Sequence, residues 1–165
     1  PKPIIAAING PAAGLGLILS MWCDIRFASK SAIFSTAFSK RGLVAEHGIS
    51  WLLPRLVGIG HAMDMTLSAR KISADEAEKI GFVNKTFSDE IFLEEVYKYA
   101  ESLANNVSPR SMKVIKRQLW QGLLLGLNEA VAIADNDMVD SFSSEDFKEG
   151  VAHFIEKRAP NFSGK

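Results

Sequence analysis

Residues 3–24, PIIAAINGPAAGLGLILSMWCD, predict a short apolar strand, then a turn, then an apolar helix. The turn falls at Asn9-Gly10-Pro11, and Gly14 stands where the helix begins. The first turn of a helix leaves N–H groups without internal partners, so Gly14 and its neighbours can donate to an oxygen that gains negative charge. This layout predicts an oxyanion hole in which Gly14 is the donor, and the flanking Ala13 and Leu15 contact the bound molecule.

Two other interpretations of this stretch involve no such site. A membrane span needs roughly 20 apolar residues, and residues 3–23 carry no charge. The break at residues 9–11 lies near the middle of that run and argues against a span. Gly14 and Gly16 can also be glycines that serve close packing, because G-x-G at a strand-to-helix junction is a weak signal. The residues alone leave the oxyanion and packing interpretations open.

The composition limits the class of protein and its partners. At 165 residues the chain suits one domain, or one core with a helical appendage. Nineteen basic and nineteen acidic side chains give a formal net charge of zero, so no overall field attracts nucleic acid or an anionic membrane. The lone Cys23 predicts a reducing compartment, and without a signal peptide pattern we expect a cytoplasmic protein. Because the chain opens at Pro1 directly on a strand, we also expect further sequence to precede it.

The chain divides into a mixed first part and a helical second part. Residues 1–87 alternate strand and helix patterns, whereas residues 88–165 carry apolar stripes at helical spacing. A helix that begins at Ile49 is expected to kink at Pro54 and to stop at Gly58. Three further segments are predicted to be strands: 25–28, 32–35 and 82–87.

Polar residues placed before apolar periods predict the starts of three more helices. Ser73 and Glu76 form a capping box, in which each side chain satisfies a free N–H near the other residue. Ser108-Pro109 supplies an N-cap and a first helical residue, and Ser144 is the N-cap of the last helix. Pro160 is expected to end that last helix.

Several segments, in the same order, resemble the crotonase (enoyl-CoA hydratase/isomerase) superfamily. They are Pro3–Gly10 with Gly14, Cys23–Ala28, Leu52–Gly58, Ile72–Val83, Phe147–Gly150 and Phe154–Arg158. The resemblance covers nearly the whole chain and matches the C-terminal portion of the family. It implies an α/β fold, a crotonase-like spiral of ββα units that is incomplete at its N-terminus, followed by a C-terminal helical trimerisation region. It also implies acyl-CoA or enoyl-CoA substrates, a homotrimer or hexamer, no metal, and no cofactor beyond the coenzyme A of the substrate thioester.

The resemblance assigns a role to Gly14. Proteins of the family polarise a thioester carbonyl with two backbone N–H groups, which stabilise the enolate formed in the reaction. Gly14 matches the position of the second donor, at the start of the helix. The first donor and most of the coenzyme A pocket belong to a part of the family that lies upstream of Pro1.

The resemblance also locates the acid/base groups. Hydratases of the family carry two glutamates, and the matching positions hold Ile18 and Phe38, which cannot move a proton. Glu46 matches a position where isomerases of the family hold a catalytic aspartate. Allylic isomerisation needs one proton shuttle, whereas hydration also needs a held water and usually a second acid, so Glu46 favours isomerisation. Glu46 is alternatively a first-turn carboxylate that complements a helix dipole, and His47 is either a substrate contact or an exposed structural residue.

Two predictions remain open at this stage. Lys148, Lys157 and Arg158 are candidates for contacts with the phosphates of coenzyme A, or they form a solvated helix end. The chain is expected to be an acyl-CoA enzyme of the hydratase/isomerase type. The alternative is a non-catalytic relative that acts as an acyl-CoA-binding or oligomerisation module.

Overall fold

The computed structural model describes residues 2–165, in which short strands come first and longer helices follow. The strands are β1 (Ile5–Ile8), β2 (Ala12–Ala13), β3 (Ile25–Ser29), β4 (Ile33–Ser35), β5 (Ile72–Ser73) and β6 (Lys85–Phe87). The helices are α1 (Leu15–Met21), α2 (Ile49–Ser68), α3 (Ala74–Lys79), α4 (Phe92–Asn106), α5 (Pro109–Gly122), α6 (Leu127–Phe142) and α7 (Glu145–Glu156). A 3-10 helix at Ser39–Arg41 lies between β4 and α2.

The strands form two small sheets. In one sheet β3 lies between β1 and β6, and both neighbours run parallel to it. In the other, β4 lies between β2, which is parallel, and β5, which is antiparallel. The predicted strands at 25–28 and 32–35 are therefore confirmed, but they belong to different sheets. Parallel neighbours need a crossover connection, and α1 lies in the connection from β1 to β3.

The described residues form two compact units. The sheet unit is Ile4–Lys98, and the helical unit consists of residues 2–3 together with residues 99–165. Helix α4 contributes residues to both units. The division after residue 87 that the sequence suggested stays a prediction.

Apolar side chains form the core of the sheet unit. Leu17, Ile18 and Met21 of α1 are almost wholly buried. The rings of Phe34 and Phe82 meet edge to face with centroids 5.4 Å apart, an arrangement that stabilises a core beyond the area it buries. The buried apolar face of α1 thus holds this helix in place within the sheet unit.

Helix α2 differs from its prediction. The helix continues to Ser68, and its backbone breaks at Gly58, where φ is 76° and ψ is 159°. Pro54 lies inside the helix, yet the non-helical residue is Gly58. Gly58 therefore ends the first helical segment as predicted, because glycine alone adopts this conformation without strain, and a second segment continues to Ser68. The expected kink at Pro54 is corrected, since the non-helical residue is Gly58.

The predicted caps are largely confirmed. Ser73 Oγ accepts a hydrogen bond from the Glu76 N–H at 3.2 Å, and Ser108 and Ser144 cap α5 and α7 in the same way. The Glu76 carboxylate, however, pairs with Arg70, so the reciprocal half of the capping box is replaced by an ion pair.

Helix α7 also ends earlier than predicted. Its last helical residue is Glu156, and Lys157 adopts the left-handed conformation that closes the helix before Pro160 is reached.

No helix within residues 2–165 is both long enough and apolar enough to cross a membrane.

Candidate functional site

Gly14 occupies a backbone conformation that only glycine adopts readily. It is the N-cap of α1 with φ 52° and ψ −119°. Its N–H donates to the Ser35 carbonyl at 3.1 Å, which extends the pairing of β2 with β4. The expectation that Gly14 itself presents the open donor is therefore corrected: this amide has a partner, and Gly14 provides the bend that leads into the helix.

The amides that follow Gly14 are the open ones. The first internal bond of α1 runs from the Ile18 N–H to the Gly14 carbonyl at 3.1 Å. The N–H groups of Leu15 and Gly16 precede that bond and fall in the first turn, where helical partners do not exist. The Leu15 side chain is exposed, while Ala13 of β2 lies beside Gly14. Sequence reasoning named these neighbours as substrate contacts and could not foresee the bond from Gly14 to Ser35, because the two-residue strand β2 gives no periodic signal.

A pair of glycine substitutions tests the bend. Gly14→Ala is expected to lower the free energy of unfolding by about 1–3 kcal/mol, the usual cost of forcing a side chain into a sparse backbone region. Gly16→Ala is the matched control, because a Cβ meets nothing within 4 Å at either glycine and Gly16 has no positive φ. Alanine inside a helix stabilises by about 0.5–1 kcal/mol relative to glycine. Urea unfolding measures both variants, and equal shifts for the two would contradict the strained bend.

The predicted acid Glu46 stands in a turn just before α2. His47 and Gly48 both have left-handed backbones, with φ 52° and 79°. The Ile49 N–H closes the turn on the Glu46 carbonyl at 3.0 Å. The Glu46 side chain is 36% exposed, and its Oε2 lies 3.7 Å from His47 Nε2. Glu46 is thus half-buried beside a histidine, a position from which a carboxylate can reach a bound molecule.

The structure removes one alternative for Glu46. Helix α2 begins at Ile49 after the N-cap Gly48, and its first turn contains no acidic residue. A carboxylate that complements the helix dipole acts within the first turn. Glu46 lies two residues before the cap, so the first-turn interpretation does not describe it.

Trp22 contacts this turn, and sequence reasoning missed it. The indole Nε1–H donates to the His47 carbonyl at 3.2 Å. The backbone of Gly48 lies against the ring so closely that a Cβ there would be 3.0 Å from Cζ2. No local pattern indicates this contact, since Trp22 and His47 are 25 residues apart. The last turn of α1 is therefore joined to the turn that carries Glu46.

The two positions that match the glutamates of hydratases, but hold apolar residues here, are buried. Ile18 is 2% exposed and Phe38 is 8% exposed. Their apolar side chains belong to the core of the sheet unit, and neither can bind or move a proton. Of the three positions that the resemblance matches to acid/base groups, Ile18, Phe38 and Glu46, Glu46 is the one with an ionisable carboxylate.

The candidates for phosphate contacts lie in the helical unit. Arg158 donates to both Glu149, with Nη2 to Oε2 at 2.8 Å, and Glu156, with Nε to Oε2 at 2.6 Å. Hydrogen bonding to Arg158 lowers the pKa of Glu149 to about 2, and hydrogen bonding to Glu149 raises the pKa of Arg158. A phosphate that binds Arg158 therefore competes with two carboxylates for its guanidinium. Lys148 pairs with Glu145 at 2.7 Å, and Lys157 is the exposed C-cap of α7.

The model of the enoyl-CoA hydratase/isomerase family matches residues 1–165, the full length of this sequence. The chain belongs to this family. Its Gly14 bend and its Glu46 turn therefore lie on a scaffold that the family shares, and the resemblance inferred from the motifs is confirmed.

The chain matches only part of the length of two curated relatives. A probable enoyl-CoA hydratase of Mycobacterium tuberculosis H37Rv is 41% identical over 165 residues, which cover 98% of this chain and 58% of that protein. The 1,2-epoxyphenylacetyl-CoA isomerase of Escherichia coli K12 is 35% identical over 165 residues, covering 100% of this chain and 63% of that protein. The chain thus spans less than two thirds of the length of these relatives.

Solved structures of the family confirm the crotonase-like α/β fold. A probable enoyl-CoA hydratase/isomerase from Mycobacterium abscessus gives a TM-score of 0.95 at 31% identity, covering 99% of this chain and 64% of that chain. An enoyl-CoA hydratase from Bacillus anthracis also gives 0.95, at 32% identity, covering 99% and 63%.

Proposed function

We propose that this chain carries the acid/base part of an acyl-CoA enzyme that shifts a double bond rather than adding water. The observation that carries the proposal is the half-buried carboxylate of Glu46 in a defined turn, 3.7 Å from His47. Family membership supports an acyl-CoA substrate. One named relative is a hydratase and another is an isomerase, so the family name alone does not decide between the two reactions.

In the proposed reaction Glu46 removes a proton from the carbon alpha or gamma to an unsaturated thioester. The electron pair of the broken C–H bond moves into the conjugated system, and negative charge collects on the thioester oxygen. Glu46 then returns the proton to the other carbon, so the product is an isomer of the substrate and no atom is gained or lost. A single carboxylate suffices for this shuttle.

Backbone amides stabilise the enolate in this proposal. The Leu15 and Gly16 N–H groups follow the Gly14 bend in the first turn of α1, and we propose that they are the preorganised donors to the thioester oxygen. Gly14 is not a donor in this proposal, because its own N–H is bonded to Ser35. Its role is to form the bend that positions the Leu15 and Gly16 amides. Ala13 and His47 are proposed to border the acyl group.

Hydration is disfavoured because it needs a positioned water and, in the two-glutamate form, a second acid. Ile18 and Phe38 occupy the matching positions as buried apolar side chains. The non-catalytic alternative is not favoured, since Glu46 remains in place with a basic neighbour.

The assembly belongs to the proposal as well. Large apolar side chains of the helical unit are exposed, among them Leu124 in the connection between α5 and α6 and, on the helices, Leu119, Leu127, Phe154 and Ile155. Exposed apolar area of this kind marks contact surfaces, and we propose that it serves a homotrimer or hexamer, which sedimentation measures. A cytoplasmic location and the absence of a cofactor beyond the substrate's coenzyme A complete the proposal.

A substrate screen tests the reaction. Conjugated and unconjugated enoyl-CoA thioesters of short, medium and long chain are incubated with the natural polypeptide that carries this sequence. We expect isomers of unchanged mass to form faster than products that are heavier by one water. Dominant hydration would overturn the isomerase assignment, and no turnover with any thioester would favour the non-catalytic alternative.

A further inference from the structure

We propose that Trp22 is a positioning residue that fixes the turn at residues 46–49 and, through it, the carboxylate of Glu46. The proposal rests on the proposed acid/base function of Glu46 for its catalytic consequence. Its structural part stands on the contacts of the indole alone. Trp22 follows the last residue of α1, Met21, and its side chain is partly exposed.

The indole holds the turn in two different ways. Nε1–H donates to the His47 carbonyl at 3.2 Å, which fixes the peptide between His47 and Gly48. The six-membered ring lies against Gly48, where a Cβ would be 3.0 Å from Cζ2. A Cβ at this distance would force the ring to move, so residue 48 is a glycine both for its positive φ and for the close approach of the ring.

The turn needs such support because its backbone is strained. Two consecutive residues, His47 and Gly48, are left-handed, and His47 has a Cβ that disfavours this conformation. Strained residues of this kind persist only where the surrounding structure fixes them. Within the turn the Ile49 N–H donates to the Glu46 carbonyl, and Trp22, the C-cap of α1, supplies further contacts from outside the turn.

The position of the Glu46 carboxylate depends on this backbone. Its ionisable neighbour within the turn is His47, whose Nε2 lies 3.7 Å from Oε2 of Glu46, and this histidine is itself more than half exposed. A rotation of the turn therefore moves the carboxylate directly. Because a displacement of about 1 Å in a reacting group can cost ~10²-fold in rate, the fit of Trp22 against the turn affects turnover.

Trp22→Phe removes the N–H donor and the outer indole atoms Cζ2 and Cη2 that lie against Gly48, while it keeps a smaller aromatic ring at the same position. We expect kcat to fall by ~10-fold with KM nearly unchanged, because substrate contacts are retained while the acid is misplaced. Trp22→Leu removes the aromatic ring as well and is expected to lower kcat further. Trp51→Phe is the matched control, because Trp51 stacks under Arg55 at 4.1 Å in α2, and its kcat should change by less than about two-fold.

A double variant separates positioning from general loosening of the fold. If Trp22 acts through Glu46, Trp22→Phe should have no further effect on kcat in a Glu46→Gln background. Multiplying effects in the double variant would show that Trp22 acts elsewhere and would overturn the proposal.

Hydrogen exchange of the Ile49 amide gives a readout that does not depend on activity. Its bond to the Glu46 carbonyl closes the turn, so exchange should be faster in Trp22→Phe than in the parent and unchanged in Trp51→Phe. Unchanged exchange in Trp22→Phe overturns the positioning of the turn. If Glu46→Gln retains parental turnover while exchange does accelerate, the proposed function fails and the structural role of Trp22 survives.

Discussion

Glu46→Gln is expected to lower turnover of an unsaturated acyl-CoA by ~10²–10⁴-fold, the contribution typical of a general acid/base group. Glutamine keeps the size of the side chain and cannot accept or return the proton. Because the change removes a group that acts in the transition state, kcat should fall while the affinity for coenzyme A stays nearly constant. Steady-state kinetics with the best thioester of the screen measures both quantities.

The control for this substitution has a similar environment. Glu95 is 30% exposed and lies 3.4 Å from Lys98, close to the 36% exposure and the 3.7 Å separation from His47 found for Glu46. Glu95→Gln should leave turnover unchanged. Glu46→Asp keeps the acid and should retain more activity than Glu46→Gln. Equal rates in the parent and in Glu46→Gln would remove Glu46 from the mechanism.

Local signals in the sequence predicted most elements of the fold. The apolar run at 4–8 and the Ser-Pro pair at 108–109 each act on their own neighbours in the chain, so their patterns are readable without tertiary information. β1 and α5 form there as expected.

The errors arose where distant residues compete with local ones. The Gly14 amide bonds to Ser35, 21 positions further along the chain by their numbers, through a strand too short to show a period. The Glu76 carboxylate prefers the guanidinium of Arg70 to the local N–H of a capping box, because a charged pair is the stronger hydrogen bond.

The turn that carries Glu46 contains one feature that the sequence predicted and two that it did not. Its acid was identified through the resemblance, yet neither the left-handed pair His47-Gly48 nor the contact with Trp22 follows from a pattern. Both depend on where α1 ends relative to α2, which is a property of the packed sheet unit. Predicting which residue carries the chemistry was therefore easier than predicting what holds it in place.

Asp146 connects the start of α7 to the end of the described chain. Its carboxylate is 3% exposed, and it accepts hydrogen bonds from Ser108 Oγ at 2.6 Å and from the Ser163 and Gly164 N–H groups at 2.9 Å. Its own N–H donates to the Lys165 carbonyl at 3.0 Å. The acid thus joins the N-cap of α5, the first turn of α7 and the C-terminal residues.

Asp146→Ala is expected to destabilise the helical unit by about 2–4 kcal/mol, because three donors lose their acceptor and each unsatisfied buried group costs about 1–3 kcal/mol. Asp146→Asn keeps one oxygen and should cost less. Glu145→Ala is the control, since this neighbouring side chain is 63% exposed and should contribute under about 1 kcal/mol. Denaturant unfolding and exchange of the Ser163 and Gly164 amides measure the effect, and equal losses for Asp146→Ala and Glu145→Ala would contradict it.

The pH dependence gives an independent check on Asp146. Burial raises its pKa, but the hydrogen bonds from Ser108, Gly164 and Ser163 outweigh burial and hold the pKa below the ordinary value of 3.8. A folded-state pKa below the unfolded value contributes stability that is present above the unfolded pKa and lost as the pH falls through the folded pKa. The parent should therefore lose stability below about pH 4 more steeply than Asp146→Asn does. Glu149, whose pKa is lowered to about 2 by Arg158, titrates in both proteins, so the difference between the two curves isolates Asp146.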